Sequence, residues 1–366
     1  MAIAVRDVVA AMEDIAPPRL ACKKDPIGLH AGDLRWRVRR LLLCLDVTPA
    51  AVRQAQRQRC DMIIAHHPLF YHPLPNLAET SPRGWLAAEI ARSRLAVYCA
   101  HTNLDNAAGG INDTLAELAG LAATAPLTVE ARDRFLKLAI FVPESHVEVV
   151  RQAICDAGAG RIGEYTDCSF RTRGIGTFRG SAASQPYIGK AEAKEEVEEW
   201  RIETLLCESQ RPAVEAALRS AHPYEEPAYD FYPLADSRGY GLGRVGELAK
   251  AATLRSLAMR MKKSCAAARA MVRGDPRHRT KRIGVLGGGP FAAEKLLAHR
   301  LDALVIGEIA PSEADFLWQH GCGVIVLGHA ASEEVVFPRL RRALQRALPG
   351  LEVLCKRPKE STTWEV

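Results

Sequence analysis

Short apolar runs alternate with amphipathic segments through the first third of the chain. Apolar runs predict strands at residues 40–45, 61–65 and 96–100. The segments between them have helical spacing, and Thr48 followed by Pro49 is a typical helix start. This alternation predicts a mostly parallel sheet covered by helices on both faces. The predicted helices are residues 5–15, 50–58, 85–93 and 111–121, the last with Asn112 as its N-cap.

The same alternation returns in the last third of the chain, so the two parts are predicted to be halves of one α/β body. The glycine-rich turn at residues 287–290 follows a strand and precedes a helix, and two interpretations are open. It is a tight connection, or its amides bind a phosphate; the tight turn is favoured because no complete phosphate-binding motif is present. The predicted strands are residues 282–286, 303–306 and 323–327, and the predicted helices run to about residue 300, over 312–319 and over 332–348.

The middle of the chain has a different pattern. Residues 124–233 predict a strand, a helix, two or three strands, a helix and a last strand, which is a ferredoxin-like α+β order. Residues 239–243 contain three glycines and predict a flexible joint back to the α/β part. We therefore predict a discontinuous domain of residues 1–123 and 240–366, interrupted by an inserted domain of residues 124–239.

Composition and charge narrow the class of protein. The chain has 366 residues, 48% of them apolar and 25% charged, and a formal net charge of +6. This is typical of a globular protein with two domains, and no basic patch alternates with aromatic residues as nucleic-acid surfaces do. The ten cysteines form no C-x-x-C pair, which predicts reduced core thiols. Without a signal peptide pattern or an apolar stretch near 20 residues, a cytoplasmic, soluble protein is expected.

Metal-type ligands follow three of the predicted strands. His66 and His67 end the second strand, and His101 ends the third with Asp105 in the next turn. His329 follows the strand at 323–327, and Glu333 lies one helical turn further on. Each of these residues alone fits a structural role, but their matching positions at the carboxyl ends of strands favour one shared site. Imidazoles with carboxylates suit Zn, Mn, Fe or Ni. Five ligands are enough for two ions, with Asp105 as the expected bridge and His101 as a ligand or the partner of one.

Three segments combine these residues into recognisable motifs. They are IIAHHPLFYHPL at 63–74, HTNLDNAAGGINDTLAELAGL at 101–121 and GHAASEEVVFPRL at 328–340. With them the chain resembles the YbgI/YqfO family of NIF-three-like dinuclear-metal proteins, many of which are labelled type 2 GTP cyclohydrolase I homologues. Segments 160–180 and 222–234 are similar to the CutA/PII-like insert of the longer members. The resemblance implies a toroidal homohexamer and two metal ions per subunit, bound by His66, His67, Asp105, His329 and Glu333.

Two hypotheses about function remain open. In the first, the protein is a metal-dependent hydrolase of the GTP cyclohydrolase type, in which Glu308 or His101 transfers a proton. In the second, it is a non-enzymatic hexameric metal-binding adaptor or regulatory assembly. Three potential ligands in the inserted segment are instead expected to have structural or pocket-lining roles. They are His222, Glu225 and Glu226.

Overall fold

The computed structural model describes residues 2–355 except 75, 79, 163–164 and 290–291. The chain divides into two compact units. The first, the α/β unit, comprises residues 1–131 and 240–366, and the second, the central unit, comprises residues 132–239. Among the described residues, no helix has both the length and the apolar character needed to cross a membrane.

The first part of the α/β unit contains the predicted alternation of strands and helices, with bounds close to those expected. One prediction was wrong: Gly110, and not Asn112, is the N-cap of the helix that begins at Ile111. The elements are α1 (Val5–Ile15), β1 (Gly28–Ala31), β2 (Arg40–Cys44), α2 (Pro49–Arg57), β3 (Met62–Ala65), α3 (Pro82–Arg92), β4 (Ala96–Cys99), α4 (Thr102–Asn106), α5 (Ile111–Ala119) and β5 (Leu121–Ala125).

The central unit forms one antiparallel sheet with two helices. Its strands lie in the order β7-β8-β6-β9. Its core contains the apolar faces of both helices, including Val150, Ile154, Val214 and Leu218. The elements are β6 (Ala131–Pro143), α6 (Val147–Asp156), β7 (Ser169–Arg179), β8 (Lys194–Cys207), α7 (Arg211–Ala221) and β9 (Tyr229–Tyr240).

The last part of the chain completes the α/β unit. The segment after residue 290, predicted as an α-helix, is instead a 3₁₀ helix over Ala293–His299. Three elements that the pattern did not reveal precede the predicted ones; they are the strands β10 and β11 and the helix α8. The elements are β10 (Arg244–Thr253), α8 (Leu254–Ser264), β11 (Met271–Arg273), β12 (Arg279–Leu286), β13 (Ala303–Ile306), α9 (Pro311–Gln319), β14 (Gly323–Val326), α10 (His329–Glu333), α11 (Phe337–Ala347) and β15 (Glu352–Cys355).

The α/β unit is a mixed α/β fold with two sheets, where a mostly parallel arrangement was expected. One sheet has the order β1-β4-β3-β2-β15 and the other β11-β14-β13-β12-β10-β5. In the first sheet β4, β3, β2 and β15 are parallel, and in the second β14, β13 and β12 are parallel. The other strands pair antiparallel with their neighbours; they are β1, β5, β10 and β11. Parallel strands are covered on both faces, so they carry continuous apolar runs. All four residues of β3 and of β13 are buried for this reason.

All ten cysteines are free thiols, as their spacing predicts. Cys44 and Cys99 are buried in neighbouring parts of the first sheet, and burial raises the pKa of both thiols. Such thiols act as small apolar side chains and are chemically inert.

A buried arginine joins β10 to the helix α5. Arg244 pairs with Asp113 and donates to the carbonyl oxygens of Gly241 and Gly243, at 3.0 and 2.7 Å. Removing the guanidinium leaves a carboxylate and two carbonyls without their donor. We expect Arg244→Ala to lower the free energy of unfolding by about 3 kcal/mol. Chemical denaturation measures this effect, with the exposed Arg255→Ala as control; equal midpoints for both variants would show that the pair has no stabilising role.

Candidate metal centre

Three parallel strands of the first sheet place polar residues at one edge. The register pairs Cys44 of β2 with Ala65 of β3, and Ala65 with Cys99 of β4. Two residues further on, the same register brings Asp46, His67 and His101 side by side. The backbone continues this pairing, because the amide of His67 donates to the carbonyl of Leu45 at 2.9 Å. The carboxyl edge of a parallel sheet is where α/β proteins bind ligands.

Each imidazole from this edge is oriented through its Nδ1 atom. His66 Nδ1 lies 2.9 Å from the carbonyl oxygen of Ala100, and His67 Nδ1 lies 2.8 Å from Asp46 Oδ1. His101 Nδ1 lies 2.8 Å from Asp25 Oδ1. A hydrogen bond at Nδ1 fixes the tautomer and leaves the lone pair of Nε2 for a metal ion.

A fourth imidazole comes from the second sheet. His329 follows β14 and begins α10, after Gly328 with a φ of 88°. Its Nδ1 lies 3.2 Å from Glu308 Oε1, and its Nε2 lies 3.2 Å from His67 Nε2. The two nitrogens that face each other come from residues 262 positions apart. His329 therefore resembles the other three imidazoles, with an oxygen atom close to Nδ1 and with Nε2 directed at the shared centre.

Glu333 lies between the imidazoles. Its Oε1 is 3.1 Å from His329 Nε2 and 3.6 Å from His66 Nε2, and its Oε2 is 3.1 Å from His67 Nε2. The side chain reaches this position because His329 and Glu333 are four residues apart on α10 and so share one helix face. One buried carboxylate thus contacts three imidazoles.

Asp105 completes the group of predicted ligands. It lies on α4, is 7% exposed, and its Oδ1 is 4.0 Å from His66 Nε2. The side chain of Asn112, which does not cap α5, donates to the backbone carbonyl of Asp105 at 3.1 Å and accepts the amide of Gly287 at 2.9 Å. Asn112 therefore fixes the Asp105 turn relative to the glycine-rich turn.

The glycine-rich turn lies directly against Glu333. The Gly288 amide donates to Ser332 Oγ at 3.0 Å, and the Gly287 amide is used by Asn112. Gly288 has a φ of 67°, and a Cβ there would overlap Glu333 Oε1. These amides are occupied, so the structure favours the tight-turn interpretation over a phosphate site; Pro290 lies outside the described residues.

The donor atoms fit a cation. Three buried atoms, His66 Nε2, Asp105 Oδ1 and Glu333 Oε2, have no hydrogen-bond partner of good geometry among the described residues. Glu333 Oε2 does lie within ion-pair distance of His67 Nε2, but their alignment does not satisfy a hydrogen bond. Buried polar atoms are rarely left in this way, and converging lone pairs indicate a missing positive charge.

Two groups of donors overlap at His67. One consists of His66, His67 and His101, and the other of His67, His329 and Glu333; within each group the ligand atoms lie within 4.8 Å of one another. These imidazole and carboxylate donors could hold a metal ion, and they suit first-row transition metals. The structure thus brings together all five residues expected to bind metal, with His101 and Glu308 beside them.

The electrostatics of the group depend on burial and on close charges. Burial raises the pKa of Asp105 to about 6, although His66 opposes the shift. Burial lowers the pKa of His67, but hydrogen bonds to Asp46 and Glu333 outweigh it and raise that pKa to about 10. Burial likewise disfavours the Glu333 carboxylate, yet the three imidazoles hold its pKa far below the usual range. The nearby carboxylates thus raise the pKa of His66, His67 and His329, so protons compete with a metal ion for these imidazoles.

Two residues of the site were not predicted as functional. Asp46 and Asp25 orient His67 and His101, and the backbone amide of Thr102 also donates to Asp25 at 3.0 Å. The position of Asp46 directly after a predicted strand was the available signal. Asp25 offered none, because it lies in an irregular loop far from His101 in sequence.

Removing the Asp46 carboxylate tests its effect on His67. We expect Asp46→Ala to weaken transition-metal binding by about 10- to 100-fold, because the imidazole loses the group that orients it and increases its basicity. Calorimetric titration with Zn²⁺ measures the affinity, and Asp33→Ala, which removes an exposed carboxylate paired with Arg35, is the matched control. Equal affinities in the two variants would contradict a role for Asp46.

Known proteins resemble this chain over nearly its whole length. The family model Duf34/NIF3 (NGG1p interacting factor 3) matches residues 3–360. A "GTP cyclohydrolase 1 type 2 homolog" of Halalkalibacterium halodurans is 36% identical over 346 residues, which are 93% of this chain and 92% of that protein. The protein of the same name from Listeria monocytogenes is 39% identical over 83% of this chain and 82% of its own length.

Solved structures agree with the sequence comparison. A Bacillus cereus protein related to NIF3 has a TM-score of 0.88 and 33% sequence identity, with both chains covered completely. Staphylococcus aureus protein SA1388 has a TM-score of 0.73 and 24% sequence identity, over 100% of this chain and 99% of that one. At this level of identity the similarity concerns the fold alone. The chain therefore belongs to the Duf34/NIF3 family.

Proposed function

We propose that this protein is a metal-dependent hydrolase with two divalent transition-metal ions per subunit. One observation carries the proposal: imidazole nitrogens and carboxylate oxygens from both ends of the chain converge on a buried centre where three polar atoms lack hydrogen-bond partners among the described residues. The site is at the carboxyl edge of parallel strands, the usual position for chemistry in this class of fold.

The overlap of the two donor groups supports two ions. His66 and His101 belong to one group, His329 and Glu333 to the other, and His67 to both. Asp105 Oδ1 lies 4.0 Å from His66 Nε2, and we propose that this carboxylate would be shared by the two ions. When bound, such ions supply Lewis acidity, which brings the pKa of a water molecule toward neutrality and polarises the bond under attack.

Two side chains are placed to move a proton. Glu308 contacts His329 Nδ1 at 3.2 Å, and its side chain is 55% exposed, so it links the centre to solvent. His101 is held by Asp25, and its ring lies 5.1 Å from that of His66. We propose Glu308 as the carrier that exchanges the proton with solvent and His101 as the group that positions the substrate or transfers its proton.

We propose a purine nucleotide such as GTP as the substrate class. The names of the relatives point to this chemistry, and one feature of the site supports it. Tyr71 is 60% exposed, and its ring lies 6.2 Å from that of His101. An exposed aromatic ring beside the centre offers a surface on which a base can stack.

Turnover by the metal-loaded protein tests the proposal. Protein loaded with Zn²⁺, Mn²⁺ or Fe²⁺ is incubated with GTP and with generic phosphoesters, and formate, phosphate and ring-opened products are measured. We expect turnover that is lost in His66→Ala and Glu333→Ala and kept in Glu117→Gln, which changes a surface carboxylate paired with Arg339. Stoichiometric metal binding without turnover of either substrate class would overturn the hydrolase and favour the non-enzymatic assembly.

We propose that the subunits form a homohexamer and that the central unit is a CutA/PII-like insert. The order of elements in this unit, strand-helix-strand-strand-helix-strand, supports the second part. His222 is structural in this unit, because its Nε2 lies 2.9 Å from the Phe141 carbonyl and its Nδ1 accepts the Tyr224 amide. Native mass spectrometry of the metal-loaded protein measures the assembly, and any mass other than six subunits contradicts the hexamer.

A further inference from the structure

A cavity of about 390 Å³ lies in the central unit. Aromatic rings form much of its wall, those of Phe141, Phe178, Tyr187 and Tyr224. The ring centroids of Tyr187 and Tyr224 are 6.1 Å apart. A cavity of this size is within the range of small-molecule sites. It is formed by residues of the central unit alone, so it is separate from the metal centre described above.

The charged side chains of the cavity are mainly acidic. The lining contains three carboxylates and one guanidinium; they are those of Glu199, Glu225, Glu226 and Arg179. When all four groups are ionised, the lining has a net charge of −2. Glu226 has Arg219 at 4.0 Å, whereas Glu199 has no basic partner among the described residues. The lining of the cavity therefore combines aromatic surface with a net negative charge.

The position of Glu199 depends on a glycine in the neighbouring strand. Gly176 lies on β7, and a Cβ there would overlap Oε2 of Glu199. The missing side chain lets the carboxylate rest over the strand, at the wall of the cavity. Glu199 is itself only partly exposed, so its charge is directed at a partly desolvated space.

The hydroxyl of Tyr224 lies in the same place, close to the Glu199 carboxylate. This hydroxyl is buried and has no hydrogen-bond partner of good geometry among the described residues. Burial and the nearby Glu199 carboxylate raise the pKa of Tyr224, so the hydroxyl stays neutral and its ring keeps the electron-rich face of a phenol.

Several aromatic rings of this unit are paired with cations, and in the cavity wall the guanidinium of Arg201 lies 5.8 Å from the Phe141 ring centroid. The guanidinium of Arg219 lies 5.2 Å from the Tyr229 ring centroid, and that of Arg211 lies 4.6 Å from the Phe231 ring centroid. Across the described part of the chain, no arginine or lysine lies over the ring of Tyr187 or Tyr224. Their ring neighbours include His146, 5.6 Å from Tyr187, and His222, 4.9 Å from Tyr224. A positive charge over a tyrosine ring is favourable, and more so when the site is desolvated.

We propose that this cavity binds a small organic ammonium ion, with its apolar groups against Phe141, Tyr187 and Tyr224 and its charge facing Glu199. The rings favour a cation over a neutral molecule of the same shape, and the excess of carboxylates disfavours an anion. The carboxylate and the rings act together, because each of them favours a positive charge over a neutral group of the same shape. The inference is independent of the chemistry at the metal centre.

Two probes of equal shape test the charge preference. Choline and 3,3-dimethyl-1-butanol differ in the quaternary nitrogen, which is a neutral carbon in the second compound. We expect calorimetric titration of the full-length, metal-loaded protein to give millimolar or tighter binding of choline, and binding of the neutral isostere at least tenfold weaker. Equal affinity for both probes, or no choline binding at 10 mM (about 2.7 kcal/mol of affinity), overturns the proposal.

Variants connect the binding to this cavity. Glu199→Gln and Tyr224→Ala are each expected to weaken choline binding at least tenfold. The matched controls are Glu208→Gln and Tyr232→Ala, which change an exposed carboxylate and an exposed tyrosine outside the cavity lining. Gly176→Ala displaces the Glu199 carboxylate without removing it, so it should also weaken choline binding. This variant keeps the assignment testable if Tyr224→Ala fails to fold. Unchanged affinity in Glu199→Gln would place the cation elsewhere and overturn the assignment.

Discussion

Glu333→Gln is expected to release bound transition metal from the purified protein. The Glu333 carboxylate is 4% exposed and lies within 3.1 to 3.6 Å of the Nε2 atoms of three imidazoles. The amide is neutral, so the centre loses its most buried negative charge as well as an oxygen ligand. Loss of a group that merely orients a ligand weakens metal binding by about 10- to 100-fold, and loss of the ligand itself should exceed this.

Elemental analysis after dialysis against a weak chelator measures the effect of Glu333→Gln. We expect about two ions per chain in the unaltered protein and fewer than one in the variant. Glu117→Gln is the control, because it makes the same chemical change at a surface carboxylate paired with Arg339. Circular dichroism verifies folding, and Glu333→Asp, which keeps the charge on a shorter side chain, should retain more metal than Glu333→Gln. Two ions per chain in Glu333→Gln would contradict the assigned ligand set.

Asp105→Asn is expected to have opposite effects with and without metal. Burial raises the pKa of Asp105 from its usual 3.8 to about 6, so ionised Asp105 is less favourable in the folded than in the unfolded chain. The stability that its protonated form contributes is complete below about pH 4 and is lost as the pH rises through about 6. At pH 8 the carboxylate thus costs about 3 kcal/mol at most, which the neutral amide avoids.

Urea denaturation in the presence of a chelator checks this sign. Metal-free Asp105→Asn should be more stable than the unaltered protein at pH 8, and the difference should disappear near pH 4. With metal in excess, the order should reverse, because ligand at a thousand times its dissociation constant adds about 4 kcal/mol to the protein that binds it. Asp14→Asn, a change at an exposed carboxylate, should leave stability nearly unchanged at both pH values. Destabilisation of metal-free Asp105→Asn at pH 8 would contradict the electrostatic cost of Asp105.

The opposite effects expected of Asp105→Asn with and without metal have one cause, which is that the centre lowers the stability of the fold when no cation is bound. Buried carboxylates that converge on one point repel each other and lose hydration, and only protons or metal ions compensate them. The same arrangement gives high affinity when divalent ions bind. Asp105 therefore favours metal binding but lowers the stability of the chain when no metal is bound.

The strands that carry the ligands were predictable because they are apolar on both faces. Residues 62–65 are a buried run between Asp61 and His66, and residues 95–100 are a buried run between Arg94 and His101. The positions of His66 and His101 at the ends of these runs therefore follow from the pattern. The strand β10 was missed, because its sequence, RVGELAKAAT, mixes charges with small residues and is stabilised by antiparallel pairing to β12 and β5. The formation of such a strand depends on its cross-strand partners more than on its own composition.

Local sequence patterns also did not predict the roles of Asn112 and Asp25. Asn112 has the composition of a helix cap, yet its side chain joins the backbone of Asp105 to that of Gly287. Asp25 lies in a loop without periodicity and orients His101 from 76 residues away. In both cases the partner that decides the role is distant in sequence, and no local pattern contains it.

By itself, the sequence determined which donor side chains follow which strands, because burial on both faces of a parallel strand requires a continuous apolar run whose end is visible. Only the tertiary structure decided that two sheets of one unit bring these strand ends together, and that His67 and His329 meet across 262 residues. It also decided which nitrogen of each imidazole faces the centre, since that choice follows from the hydrogen bonds of Asp46, Asp25, Glu308 and the Ala100 carbonyl. Strand burial is a property of short segments, whereas the direction of a lone pair depends on contacts that exist only after the chain has folded.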